Sequence, residues 1–243
     1  MVLITVIKIT NCLSDMYSIK TLLFGSLISF TAAMSYPSFA SDLFSQDEQI
    51  TRQDVLRGSI TPERAWWDLS HYHLDIRVKP AEKLIAGTNT VKYRVLSEAK
   101  RLQIELQAPM QLTKAMQNGQ SLSFTKDGYS YFIETTSPQP IGSEQSVILH
   151  FSGQQTEAKR APWDGGITWT KDTNGVDFIA SANQGIGASI WWPNKDHAYD
   201  EPDLGALISV EVPEHLVNVS NGRLEKTEHH PERKTKTYHF NLT

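Results

Sequence analysis

The sequence predicts an all-β fold, a saddle-like antiparallel β-sandwich with long loops over one end. Three observations carry that expectation. Apolar and polar residues alternate strictly in several segments, which is the mark of a half-buried strand. Turn signals recur at short intervals, and no stretch holds a helical period over about 12 residues.

The strand-forming segments follow one another through the second quarter of the chain. In HYHLDIRV, Tyr72, Leu74, Ile76 and Val78 share one face, while His71, His73, Asp75 and Arg77 share the other. TVKYRVL repeats the pattern with Val91, Tyr93 and Val95 inward, and RLQIEL does so with Leu102, Ile104 and Leu106. Shorter strands are expected at Leu122–Phe124, Tyr129–Ile133, Val147–Phe151, Leu207–Val212, Leu216–Ser220 and Thr237–Leu242. Asn118-Gly119, Asp127-Gly128, the stretch from Pro138 to Gly142, and Asn221-Gly222 supply the turns between them.

Composition fits this reading and narrows the function. The 243 residues are 40% hydrophobic and 21% charged, as in an ordinary globular chain. Lys and Arg total 23 against 27 Asp and Glu, a net charge of -4, which argues against nucleic acid as a partner. The sole cysteine, Cys12, excludes an internal disulfide and a cysteine-based metal site.

The first 40 residues read as targeting. Lys20 precedes a 14-residue apolar run, Thr21 to Met34, and Ser38 and Ala40 stand at the small-residue positions of a cleavage site after Ala40. The run is shorter than the roughly 20 residues of a membrane span, so no stable span is expected. Residues 1–15 fit no standard signal layout, which suggests a start at Met16. The expected organisation is therefore 1–40 signal peptide with extra upstream residues, 41–62 polar leader with one short helical turn, and 63–243 β domain. Export to the periplasm or the exterior follows, and cleavage would remove Cys12, as suits an oxidising compartment.

Residues 158–203 differ from the rest. They hold four of the six tryptophans and five glycines, and they close on the acidic run KDHAYDEPD. Long structured loops are expected here, and such loops commonly carry function. Trp66-Trp67 and Trp191-Trp192, read as strand neighbours, should each place one ring inward and one outward, where a ring could stack on a sugar. Asp196, Asp200, Glu201 and Asp203 lack an EF-hand spacing and are expected to serve turns and caps.

Candidate chemistry is sparse. His71 and His73 lie two apart on one strand face, but a zinc site needs a third ligand and none stands nearby. His229-His230-Pro231-Glu232 reads as a hydrated turn. No HExxH, no GxSxG and no Cys outside the leader is present. Gly185-Ile186-Gly187 opens like a dinucleotide fingerprint, yet no third glycine follows in register. No catalytic and no metal-ligating residue is therefore assigned.

RAWWDLSHYHLDIRV, then IAGTNTVKYRVL and RLQIEL, and later ANQGIGASIWWPNKDHAYDEPD, resemble the opening domain of the aminopeptidase N-type zinc metallopeptidases, a family that includes leukotriene A hydrolase. The Trp191-Trp192-Pro193, Lys195-Asp196-His197 and Asp200-Glu201-Pro202 elements are similar to those of secreted bacterial members. The resemblance runs from Glu63 to Thr243. It implies a saddle-shaped amino-terminal β domain packed against a separate zinc domain that carries HExxH, with zinc held outside this chain. It also implies that Gln184, with the backbone of Gly185, contacts the α-amino end of a peptide substrate in the full-length enzyme. The chain stops at HFNLT inside an expected strand, so truncation is expected, and with it no peptidase activity of the chain alone and uncovered apolar area around Trp191 and Trp192. The alternative is an exported stand-alone β-sandwich that binds glycan or protein ligands through its tryptophan-rich loops.

Overall fold

The computed structural model describes residues 4–7, 50–136, 139–161 and 165–243. The expected signal peptide, its cleavage point, Met16 and Trp163 lie outside the described residues, apart from a short strand at Ile4–Ile7. The described part of Arg52–Thr243 and this strand form one compact unit.

Two short helices come first, α1 (Arg52–Gly58) and α2 (Pro62–Ala65). With Ile4–Ile7 as β1, the strands that follow are β2 (Trp67–Lys79), β3 (Leu84–Val95), β4 (Arg101–Glu105) and β5 (Gln111–Gln117). Next come β6 (Gln120–Leu122), β7 (Phe124–Asp127), β8 (Ser130–Glu134), β9 (Glu144–Gly153), β10 (Gly166–Lys171) and β11 (Asp177–Ala182). The last are β12 (Ala206–Pro213), β13 (Val217–Ser220), β14 (Arg223–His230) and β15 (Thr235–Leu242). The all-β expectation holds, and the expected strands are present except Leu122–Phe124, where the chain leaves β6 at Leu122 and enters β7, in a different sheet, at Phe124.

The large sheet has eight strands in the order β14-β15-β12-β2-β3-β9-β5-β6. A three-stranded sheet, β4-β8-β7, and a four-stranded one, β10-β11-β1-β13, complete the unit. The large sheet is mixed, where alternation predicted an antiparallel assembly. Strands β2 and β12 run parallel, from Tyr72 opposite Ala206 to Arg77 opposite Glu211. Parallel neighbours need a long crossover, and here the connection from Lys79 to Ala206 takes in most of the domain, so no local pattern announces it.

One apolar core joins the sheets. Leu74, Ile76 and Val78 of β2, Val91 and Tyr93 of β3, Leu149 and Phe151 of β9, and Ile208 and Val210 of β12 are buried in it. Leu102 and Ile104 of β4 and Ile179 of β11 enter from the smaller sheets. Burying an aliphatic or aromatic side chain of this size contributes about 1.5–3 kcal/mol, which makes this core the main source of stability. Strand β2 fills the core along its length because a register shift between Leu69 and His71 resets its alternation. Trp67 and Leu69 point inward before the bulge, and Tyr72 and Leu74 do so after it.

Several strands were hidden from alternation. A register shift between Leu112 and Lys114 interrupts β5. Strand β14 is an edge strand with mostly exposed, charged residues and has no apolar face to detect. It contains His229 and His230, which are therefore strand residues; the turn falls later, at 231–234. The Gly- and Trp-rich stretch also holds the hairpin of β10 and β11, with Trp169 opposite Ile179.

The tryptophan pairs depart from expectation. Trp66, Trp67, Trp191 and Trp192 are all buried. Inward-outward alternation applies only along a strand, and here Trp66 caps α2 while Trp191 ends the 3₁₀ turn Ala188–Ile190. Trp66 and Trp67 both pack edge-on against Tyr93, and Trp192 packs edge-on against Tyr72 with centroids 5.0 Å apart.

Candidate functional site

The segment from Asn183 to Asp200 emerges from β11 and crosses back to the start of β12. Its first turn puts Gln184 and Gly185 on the surface. Glycines make this turn possible: Gly185 has φ 76° and Gly187 has φ 86°, a region costly for residues with a Cβ. Gly187 donates its N–H to the Asn183 carbonyl at 3.0 Å and closes the turn. A Cβ on Gly187 would meet Asp196 Oδ2 at 2.5 Å and Arg57 Nη2 at 2.7 Å, so the loop rests directly on its support.

That support is polar. Arg57, in the last turn of α1, donates from Nη2 to the Ile186 carbonyl at 2.6 Å and lies 3.6 Å from Asp196 Oδ2. Gln107 donates from Nε2 to the same carbonyl at 2.8 Å and to Ser189 Oγ at 2.9 Å. Ser189 in turn donates to Asp196 Oδ2 at 2.6 Å. The exposed Gln184 amide therefore stands on a turn whose next carbonyl is held by two side chains from different parts of the chain.

Beneath lies a buried charge pair. Arg64 Nη2 is 2.7 Å from Glu105 Oε1, with side-chain exposures of 0% and 3%. Glu105 also accepts from Gln103 Nε2 at 2.7 Å and from the Asp196 N–H at 3.1 Å. Burial raises the Glu105 carboxyl above its usual range, against the lowering effect of Arg64. Arg64 Nη1 donates to the carbonyls of Arg57 and Ser59, and so fixes the end of α1 where Arg57 departs.

A second pair closes the segment. Lys195 is buried, donates from Nζ to the Trp67 carbonyl at 2.7 Å and is paired with Asp200. Its ammonium lies 3.9 Å from the Trp67 ring centroid and 4.9 Å from that of Tyr199. Burial lowers the Lys195 pKa, opposed by Asp200. Asp200 also accepts from the Leu69 N–H, and the Lys195 N–H donates to Tyr72 Oη at 2.9 Å. Asn89 Nδ2, from β3, donates to the Pro193 carbonyl at 2.8 Å. Asp196 and Asp200 thus anchor the loop through ion pairs and contacts with distant segments, where turn and capping bonds were expected.

Of the two strand histidines, His73 joins a side-chain hydrogen-bond chain. His73 Nε2 shares a hydrogen bond with Ser209 Oγ at 3.3 Å, and Ser209 Oγ shares one with His239 Nδ1 at 2.8 Å. Burial lowers the pKa of His71 and of His73. Among the described residues no group of three or more His, Cys, Asp or Glu could hold a metal ion, so the residues present do not fit a zinc site.

Sequence reasoning missed Arg57, Gln107 and Arg64. Arg57 comes from the segment read as a polar leader, Arg64 opens the RAWWDL stretch that carries the resemblance, and Gln107 follows β4, all far along the chain from Gln184. Arg57 and Gln107 lie in no motif.

No protein-family model matches the sequence, and no curated protein matches it. Solved structures do. An M1 zinc metallopeptidase from Deinococcus radiodurans matches with a TM-score of 0.59 and 20% identity over 74% of this chain and 39% of that one. A mutant form from the same organism, bound to a Tyr-Ser-Ala substrate, gives 0.60 and 21% over 76% of this chain and 42% of the other. Leukotriene A4 hydrolase from Saccharomyces cerevisiae gives 0.53 and 14% over 72% and 26%. The match spans less than half the length of each. At these identities the likeness is one of fold, and the fold is that of the amino-terminal β domain expected from the sequence resemblance.

Proposed function

We propose that the chain is the amino-terminal, substrate-cleft domain of an exported zinc-dependent aminopeptidase. In the full-length enzyme it forms one wall of the cleft and presents Gln184 to the α-ammonium of a peptide. The observation that carries this reading is the exposed turn at Gln184 and Gly185, held rigid through the Ile186 carbonyl by Arg57 and Gln107. A surface glutamine needs no such bracing for solubility. A recognition amide does, because a hydrogen bond to an ammonium is worth most when its acceptor is fixed in advance.

The Gln184 side-chain carbonyl accepts from the ammonium, and the Gly185 backbone lies beside it. Zinc belongs to a further domain of the same polypeptide, where it would supply Lewis-acid and water-activating chemistry. This chain's part is orientation of the substrate's free end. The burial of Trp66, Trp67, Trp191 and Trp192 counts against the alternative of a module that stacks glycans on these rings.

The test begins with the DNA beyond the codon for Thr243. An open frame encoding HExxH supports the reading, and no such frame downstream counts against it. In the protein carrying that frame, Gln184→Ala should raise KM for peptides with a free amino terminus at least about tenfold, the worth of one lost charge-assisted hydrogen bond. An unchanged KM would remove Gln184 from substrate recognition.

A further inference from the structure

We propose that the outer face of the large sheet carries a site for a small zwitterion, a free α-amino acid whose ammonium meets Asp75 and whose carboxylate meets Arg77. The two residues lie two apart on the exposed face of β2, with roughly 6.6 Å between their Cα atoms. Their neighbours on the adjoining strands are small. Thr88 lies opposite Asp75, Ala86 lies opposite Arg77, and Ser152 of β9 lies opposite Ala86. A groove of about 530 Å³ opens over these positions, within the size of small-ligand sites. At Gly87 the backbones of β2 and β3 come so close that a Cβ would meet the Asp75 carbonyl, which fixes the strand that carries both charges.

The two opposite charges share one strand face but do not pair with each other. Arg77 turns to β12 instead, donating from Nε and Nη2 to Glu211 Oε2 at 3.0 and 2.7 Å. The other Glu211 oxygen accepts from Arg233 Nε at 3.2 Å and from Thr235 Oγ1 at 2.6 Å. Glu211, with a side chain only 10% exposed, is thus fully engaged and acts as an anchor for the guanidinium. Lys79, on the same wall, pairs with Glu82 at 3.3 Å. Among the described residues Arg77 Nη1 has no acceptor, and the Asp75 carboxylate has neither a hydrogen bond nor an ion pair. The groove therefore offers one free carboxylate beside one guanidinium held in place. A simple anion would be repelled by Asp75, and a simple cation by Arg77 and Lys79. An α-amino acid carries both charges on one carbon and satisfies both partners, with Leu84 and Ala86 as the apolar part of the lining for an aliphatic side chain.

This site needs neither Gln184 nor a zinc domain, so it can be tested on the full chain as it stands. L-leucine added at pH 7 to the isotope-labelled protein should shift the amide resonances of 75–77, 86–88 and 152 saturably, with half-saturation below about 10 mM. N-acetyl-leucine lacks the ammonium and leucinamide lacks the carboxylate; each should bind at least about tenfold more weakly. Asp75→Asn, at an exposed position that the fold does not depend on, should weaken leucine by a similar factor. Gln184→Ala should leave the groove's affinity unchanged. No saturable shift at these positions, an affinity kept by either blocked analogue, or unaltered binding in Asp75→Asn overturns the site. Shifts confined to 183–187 and lost in Gln184→Ala would also overturn it, while favouring the reading of Gln184 as the ammonium's partner.

Discussion

Arg64 Nη2 and Glu105 Oε1 meet at 2.7 Å with neither side chain open to water, directly beneath the loop that presents Gln184. The pair joins α2 to β4, and through the Asp196 N–H it also joins both to the far end of the Gly- and Trp-rich stretch. Three segments widely separated in sequence converge on one carboxylate.

Arg64→Met should therefore cost about 3–5 kcal/mol, since it strands a buried carboxylate. Arg64→Met with Glu105→Leu should recover part of that loss, because the desolvated charges leave together. Urea denaturation of both variants checks this. A double variant no more stable than Arg64→Met would refute it.

Gly187→Ala should destabilise by more than about 1 kcal/mol, since the position combines φ 86° with contacts a Cβ cannot accept. Gly185→Ala keeps the same strain but meets open space, so it should cost less. Thermal denaturation of the two variants side by side tells them apart.

Arg57→Ala acts on the loop and hardly on the domain. Arg57 is partly exposed and its ion pair with Asp196 is long, so global stability should change by less than about 1 kcal/mol. Amide exchange across 184–187 should quicken all the same, because the Ile186 carbonyl keeps only Gln107. Unaltered exchange there would show that α1 does not brace the turn.

Lys195→Met removes the partner of Asp200, whose side chain is only 6% exposed. The expected loss is about 3–5 kcal/mol. Trp67 fluorescence should change with it, because the ammonium 3.9 Å from its ring is gone. A variant of native stability would mean that Asp200 finds water.

The histidines of the large sheet set a pH dependence. Burial depresses His73 in the folded state, with His239 and Lys92 acting in the same direction and Asp75 opposing. A base with a depressed folded pKa contributes stability above its unfolded value of about 6.5, lost as pH falls through the folded value. The melting temperature should therefore drop between pH 7.5 and 5, and His73→Gln should shrink that drop. An equal drop in both proteins would refute the assignment.

Legibility divided along physical lines. Strands such as β2 and β3 could be read because each has one face in the core, and half-burial writes a period of two into the residues; β4 alternates too, although its polar face, Gln103 and Glu105, is also buried. Strand β14 could not be read, since an edge strand with water on both faces has no such constraint. The tryptophan pairs misled for a related reason: alternation holds for extended backbone, and Trp66 and Trp191 sit at helical turns. Gln184 and Gly185 were found through resemblance alone. Their braces Arg57 and Gln107 had no signal, because an arginine in a polar helix is ordinary until a distant carbonyl lies 2.6 Å away.

By itself the sequence determined the β class, the main strands, the turns between them and the loop that carries the candidate site. These depend on neighbours within a few residues, where backbone geometry and the burial of one face act directly. Only the tertiary structure decided that β2 pairs in parallel with β12, that four tryptophans are buried, and that Arg57, Arg64 and Glu105 are linked to the loop that carries Gln184 through Ile186 and Asp196. Those outcomes depend on partners up to about 130 residues apart, brought together by the closing of a shared core that no local pattern encodes.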